Sequence, residues 1–254
     1  MQVREWGRSG QPVVVLLHAL GCHKGWWDWV GPALGSRYHV LAPDFRGHGE
    51  SGWSDSYGFG DYAADVEQLV GGRPYALVGH SMGGYVGLVV ASRGAARPQA
   101  LVVVDMKTGS TPQELADLQA ASQRPGRVYG SLEEAVGRYR LAPPEHAVPA
   151  ERLAVVARES YRQQPDGSWV ERFDRRALAI EPVEPLPLVR TAGCPMLLVR
   201  GEKSLVMAAE PAAELAAAAG APLETMAGLY HHLPLEAPEE LAALIAGFLE
   251  RSSW

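Results

Sequence analysis

Short apolar runs, each closed by glycine, proline or polar residues, recur along the chain. Residues 13–17 read Val-Val-Val-Leu-Leu, and runs of similar character lie at 38–42, 75–79, 100–104 and 195–200. Apolar runs of this length between turn formers predict strands buried on both faces. Residues 223–227 predict one more. Between the runs lie segments long enough for helices, at about 61–70, 82–92, 207–219 and 238–250. Such strands alternating with helices predict an α/β fold, with a mostly parallel sheet covered by helices on both faces. Its crossovers should be right-handed.

The alternation stops between residues 106 and 189. No buried strand recurs there, and the segment is rich in Glu, Arg, Ala and Pro. Helix-like patterns lie at 131–140 and 150–162, and 168–173 suits a short strand or hairpin arm. Residues 181–187 form a proline-punctuated run. An insertion this long between two strands of one sheet predicts a cap rather than a loop. The expected division is a core of residues 1–105 and 190–254 with a largely helical cap at 106–189.

Composition narrows the class. The 254 residues are 47% hydrophobic and 20% charged, as in a soluble globular chain. The formal net charge of -6 and the lack of a Lys/Arg run argue against nucleic acid or an anionic membrane as partner. Cys22 and Cys194 are the only cysteines, and they form neither a disulfide framework nor a zinc pattern. The N-terminus lacks a signal-peptide layout, so a cytoplasmic protein is expected. A monomer or homodimer acting on a small molecule, without cofactor or metal, is the corresponding expectation.

Gly79-His80-Ser81-Met82-Gly83 is a G-x-S-x-G motif. It follows a predicted strand and opens a predicted helix, which is where the motif has a mechanical meaning. The turn is sharp, and it exposes a strained serine at the carboxyl end of the sheet. The helix N-terminus there favours developing negative charge. Ser81 is therefore the candidate nucleophile. A serine needs a base, and His231 and His232 lie in a loop after the last predicted strand. The order nucleophile, acid, histidine then fits.

Four motifs in register carry a resemblance to the α/β-hydrolase superfamily over nearly the whole chain. Leu17-His18-Ala19-Leu20-Gly21 resembles the family's H-G-x segment, with Ala19 in place of glycine. Asp44 to Ser51 resembles its D-x-R-G-x-G-x-S turn, and 79–84 its nucleophile elbow. Gly228-Leu229-Tyr230-His231, followed by Glu236 and Pro238, resembles its histidine loop. The spacing to Glu236 selects His231. The resemblance implies a cap inserted after the family's sixth strand. It also implies an oxyanion hole from the backbone N–H groups of Leu20 and Met82. Trp27 matches a buried tryptophan of the family, while Trp26 or Trp29 packs or faces the pocket.

The family usually carries its acid in a G-x-x-D segment, which here reads Gly201-Glu202-Lys203-Ser204. Asp105, at the end of the run 100–104, is the favoured acid. Glu202 is the reserve, and a dyad without acid is the third option. The implied activity is cleavage of a small to medium hydrophobic ester, thioester, lactone or amide through an acyl-enzyme. The same fold also hosts carbon–carbon hydrolases, lyases and cofactor-free oxygenases, and a weakly active receptor is a further alternative.

Overall fold

The computed structural model describes residues 1–94 and 97–252. The chain opens with β1 (Val3–Trp6), β2 (Val13–Leu17), a 3₁₀ turn (Lys24–Trp27), α1 (Gly31–Leu34) and β3 (His39–Pro43). It continues through α2 (Phe59–Val70), β4 (Tyr75–His80), α3 (Met82–Arg93) and β5 (Ala100–Val104). The inserted segment holds α4 (Pro112–Ser122), β6 (Val128–Tyr129), α5 (Leu132–Arg138), α6 (Ala150–Glu159), β7 (Tyr161–Gln163), β8 (Trp169–Glu171), a second 3₁₀ turn (Arg175–Leu178) and α7 (Pro185–Thr191). The core closes with β9 (Met196–Gly201), α8 (Ala209–Ala219), β10 (Leu223–Met226), α9 (Leu233–Glu236) and α10 (Pro238–Arg251).

The main sheet runs β1-β3-β2-β4-β5-β9-β10. Every neighbouring pair is parallel except β1 with β3, so the sheet is mostly parallel as expected. Alternate side chains serve opposite layers because successive residues of a strand point to opposite faces. Val13, Val15, Leu77, Leu101 and Val103 face a core shared with α2, α3 and α8. Val14, Leu16, Val78, Val102 and Val104 face one shared with α1 and α10. Both faces are covered, which is why these strands read as unbroken apolar runs.

Three elements differ from the sequence reading. β1 went unread because Val-Arg-Glu-Trp has no apolar run and lies on the sheet edge, only partly buried. The insertion is also less purely helical than expected. Its helices are joined by a small antiparallel sheet, β6-β8-β7, with β8 inside the 168–173 segment. The end of the proline-punctuated run opens α7, with Pro185 in its first turn, where a missing N–H costs nothing. α7 packs on α3 and α8, and Val189 belongs to the main core, so the chain is back on the core before residue 190. Among the described residues no helix is long and apolar enough to cross a membrane.

Register brings the site together. His80 pairs with Val104 across β4 and β5, and Val104 pairs with Val199 across β5 and β9. Met226 at the end of β10 pairs with Gly201 at the end of β9. The turns after these four strands therefore meet at one edge of the sheet, and they carry Ser81, Asp105, Ser204 and His231.

Candidate active site

Ser81 sits on the turn from β4 to α3 with φ 53° and ψ -117°. Its N–H donates to the Val104 carbonyl at 2.9 Å, and its carbonyl accepts from the Gly84 N–H at 2.9 Å. The turn is this tight because two glycines let backbone touch backbone. A Cβ on Gly79 would lie 2.2 Å from the Gly83 carbonyl oxygen, and one on Gly83 would lie 2.4 Å from that of Leu17. Asp105 has φ 44°. Among the described residues, Ser81 and Asp105 are the two non-glycine positions with positive φ. Such backbone costs on the order of 1–3 kcal/mol per residue and persists where surrounding structure forces it.

Asp105 is fully buried. Its N–H donates to the Val199 carbonyl at 2.7 Å, which fixes the residue between β5 and β9. Three donors converge on its carboxylate. The Gly201 N–H reaches Oδ2 at 2.7 Å, the Ser204 hydroxyl reaches Oδ1 at 2.6 Å, and His231 Nδ1 lies 2.8 Å from Oδ1. A carboxylate only accepts, so Nδ1 carries a proton, and in the neutral ring Nε2 then keeps its lone pair. The structure thus joins Asp105 to His231. Glu202, the reserve acid, is exposed and accepts from the Gly228 N–H at 2.7 Å instead.

His232 takes a different course. Its Nε2 lies 2.8 Å from the Pro143 carbonyl oxygen, so it ties the histidine loop to the insertion. His80, which precedes Ser81, places its Nε2 2.9 Å from the His231 carbonyl oxygen, and the two rings lie 4.8 Å apart. His80 therefore binds the elbow to the histidine loop. The motif reading passed over it because any residue satisfies that position of G-x-S-x-G. His18 is a brace as well. Its Nδ1 lies 2.8 Å from the Ala19 carbonyl oxygen, and its Nε2 accepts the Phe45 N–H at 3.0 Å. These bonds fix the Leu20 loop to the turn after β3. Lys24 anchors that turn, donating its Nζ to the buried Asp44 at 2.6 Å and its N–H to the same carboxylate at 2.6 Å.

A cavity of about 370 Å³ opens beside Ser81, lined also by Leu20 and Met82. The rest of the lining is mainly apolar, including Phe59, Tyr85, Met106 and Val183, with Leu115 and Leu118 of α4 at the mouth. Trp27 is fully buried against the sheet, as the resemblance implied. Trp26 packs instead with Leu141, Val148 and Val156 of the insertion and with Leu235. The Cys22 thiol points at the Leu20 carbonyl oxygen, 3.6 Å away.

Several of these histidines are held neutral. Burial pushes His18 down to about 3 and His48 and His232 down to about 4, from an ordinary value near 6.5. Burial also holds His80 well below 6.5, helped by the nearby His231 and His232. The unfolded chain gains protons on these rings below about pH 6.5, whereas the folded chain resists until about pH 4 or lower. Stability therefore falls as pH drops from about 6.5 to 4, by roughly 3 kcal/mol for a ring shifted as far as His48. Urea melts at pH 7.5 and 4.5 should show this loss, and His48→Asn should lessen it. An unchanged midpoint between the two pH values would contradict the buried neutral rings.

The fold and the site define a class. The chain belongs to the Alpha/beta hydrolase family, whose sequence pattern matches residues 14–244. It is a hydrolase of that family, on the α/β-hydrolase fold. Among curated relatives it is 28% identical to a 2-(acetamidomethylene)succinate hydrolase of Mesorhizobium japonicum, over 98% of this chain and 91% of that protein. It is also 28% identical to an esterase of Mycobacterium tuberculosis, over 96% of this chain and 85% of that one. Among solved structures it resembles an E-2-(acetamidomethylene)succinate hydrolase with a TM-score of 0.84 at 24% identity, covering 98% and 94% of the two chains. A thioesterase domain from the curacin biosynthetic pathway matches with a TM-score of 0.81 at 23% identity, covering 96% and 94%.

Proposed function

We propose that the protein is a serine hydrolase that cleaves small to medium, uncharged apolar acyl esters or thioesters through an acyl-enzyme. The observation that carries this reading is the Asp105–His231 pair, 2.8 Å apart, at the same sheet edge as the strained Ser81. Ser81 Oγ attacks the acyl carbon and its proton passes to His231 Nε2. The proton then goes to the departing alkoxide or thiolate. Water repeats the sequence on the acyl-enzyme and releases the carboxylic acid, so water is the only co-reactant. Asp105 orients the ring and stabilises the imidazolium. The Leu20 and Met82 amides hold the oxyanion, each donor contributing on the order of 3 kcal/mol. The insertion serves as a cap that shields the acyl group from water.

The charge of the cavity refines the substrate class. Lys107 is the single cation among its described lining residues, and its Nζ donates to Glu114 at 2.7 Å. Glu114 is held at about 2 by Lys107 and by the N–H of Thr111, the N-cap of α4. Asp117 adds a second carboxylate. An acyl group ending in a carboxylate would pass these two solvent-exposed acids with no free cation among the described lining residues, and within the apolar cavity its charge would be buried and unpaired, which is strongly unfavourable. The curated relative named for a succinate derivative is therefore a poor guide to this chain's substrate. Turnover of 4-nitrophenyl pentanoate should exceed that of 4-nitrophenyl hemiglutarate by on the order of 100-fold in kcat/KM. Equal or reversed values would overturn the uncharged-acyl reading.

A further inference from the structure

Ser204 stands where the resemblance expects the acid, yet its hydroxyl points at the acid the structure provides. It lies 2.6 Å from Asp105 Oδ1, the same oxygen that faces His231 Nδ1 at 2.8 Å. Ser204 is buried, at 4% exposure, so no water competes strongly for that bond. Its Oγ also accepts the Val206 N–H at 3.2 Å and the Met207 N–H at 3.5 Å. We propose that Ser204 is a positioning residue: its hydroxyl fixes the Asp105 oxygen that faces His231 and weakens that oxygen as an acceptor. This rests on the serine-hydrolase reading above.

The physical consequence has a definite sign. A donor to Oδ1 withdraws charge from the oxygen that stabilises the imidazolium, so it makes His231 a weaker base. Removing the hydroxyl should make His231 more basic and raise the pH at which activity is lost on the acid side. Among the described residues, Glu236 accepts from the N–H groups on either side of His231, and the rings of His80 and His232 lie 4.8 Å and 5.1 Å from it between centroids. Both rings are kept neutral by burial, so neither supplies a competing charge in the working range.

The test needs no substrate, because a fluorophosphonate reports the activated serine directly. Its second-order labelling rate is measured by intact mass from pH 5 to 9 for wild type, Ser204→Ala and Ser204→Cys. The cysteine keeps the side-chain shape but donates poorly. The expected result is an acid-side midpoint moved up by about half a unit or more in both variants. An unmoved or lowered midpoint in folded Ser204→Ala and Ser204→Cys would overturn the positioning role even if their rates fell. Wild type that does not label at all would sink the serine-hydrolase reading itself, which separates that failure from this one.

Discussion

Ser81→Ala should lose roughly a millionfold in kcat, the scale expected when the nucleophile of a catalytic unit is removed. The structural cost should be small by comparison. The Ser81 side chain makes no capping bond to α3, and its backbone bonds to Val104 and Gly84 survive in alanine. Alanine at φ 53° is somewhat strained, so a modest drop in melting temperature is expected. Measuring kcat on a 4-nitrophenyl ester beside a thermal melt separates the two effects. A folded Ser81→Ala variant retaining a tenth of wild-type turnover would mean that the serine does not carry the reaction.

Asp105→Asn is the second large effect, expected at about 10⁴ in kcat. The three donors that meet at this side chain explain the size. Gly201 N–H, Ser204 O–H and His231 Nδ1–H all need an acceptor. An asparagine offers one oxygen and turns an NH₂ group toward the remaining donors. The ring then gains by moving its proton to Nε2, which leaves it unable to take the proton of Ser81. The same crowding leaves a buried donor unpaired, so stability should also fall, by roughly 1–3 kcal/mol. Urea melts of Asp105→Asn and the pH dependence of its residual rate check both parts. Activity within tenfold of wild type would return the acid role to another residue or to none.

How far the sequence reached follows from what each element needs. The central strands were legible because a strand buried on both faces must be apolar at every position, and Val13–Leu17 and Ala100–Val104 are. β1 was not, because an edge strand needs only backbone pairing with β3 and tolerates Arg4 and Glu5. α4 also went unread, although Thr111-Pro112-Gln113-Glu114 forms a capping box whose two reciprocal bonds are both present. The run at 181–187 misled because proline marks a stop in most contexts but is welcome in the first turn of a helix. Within the site, Ser81 and His231 stood in local motifs, and Asp105 was legible as a carboxylate closing a buried strand. The bond from Ser204 to Asp105 spans 99 positions of sequence, and that from His80 to the His231 loop spans 151. Neither has a local signature, since both partners are chosen by strand order in the sheet. The G-x-x-D register did point at residue 204, but as a missing acid rather than as a donor to the acid that replaced it.

The protein incubated with a fluorophosphonate at pH 7.5 and weighed intact tests the central claim most directly. Attack by Ser81 Oγ on phosphorus expels fluoride and leaves one adduct per chain. The expected result is stoichiometric labelling of wild type and none of Ser81→Ala. Folded wild type that stays unlabelled, or a label that persists in Ser81→Ala, would contradict an activated serine at this site.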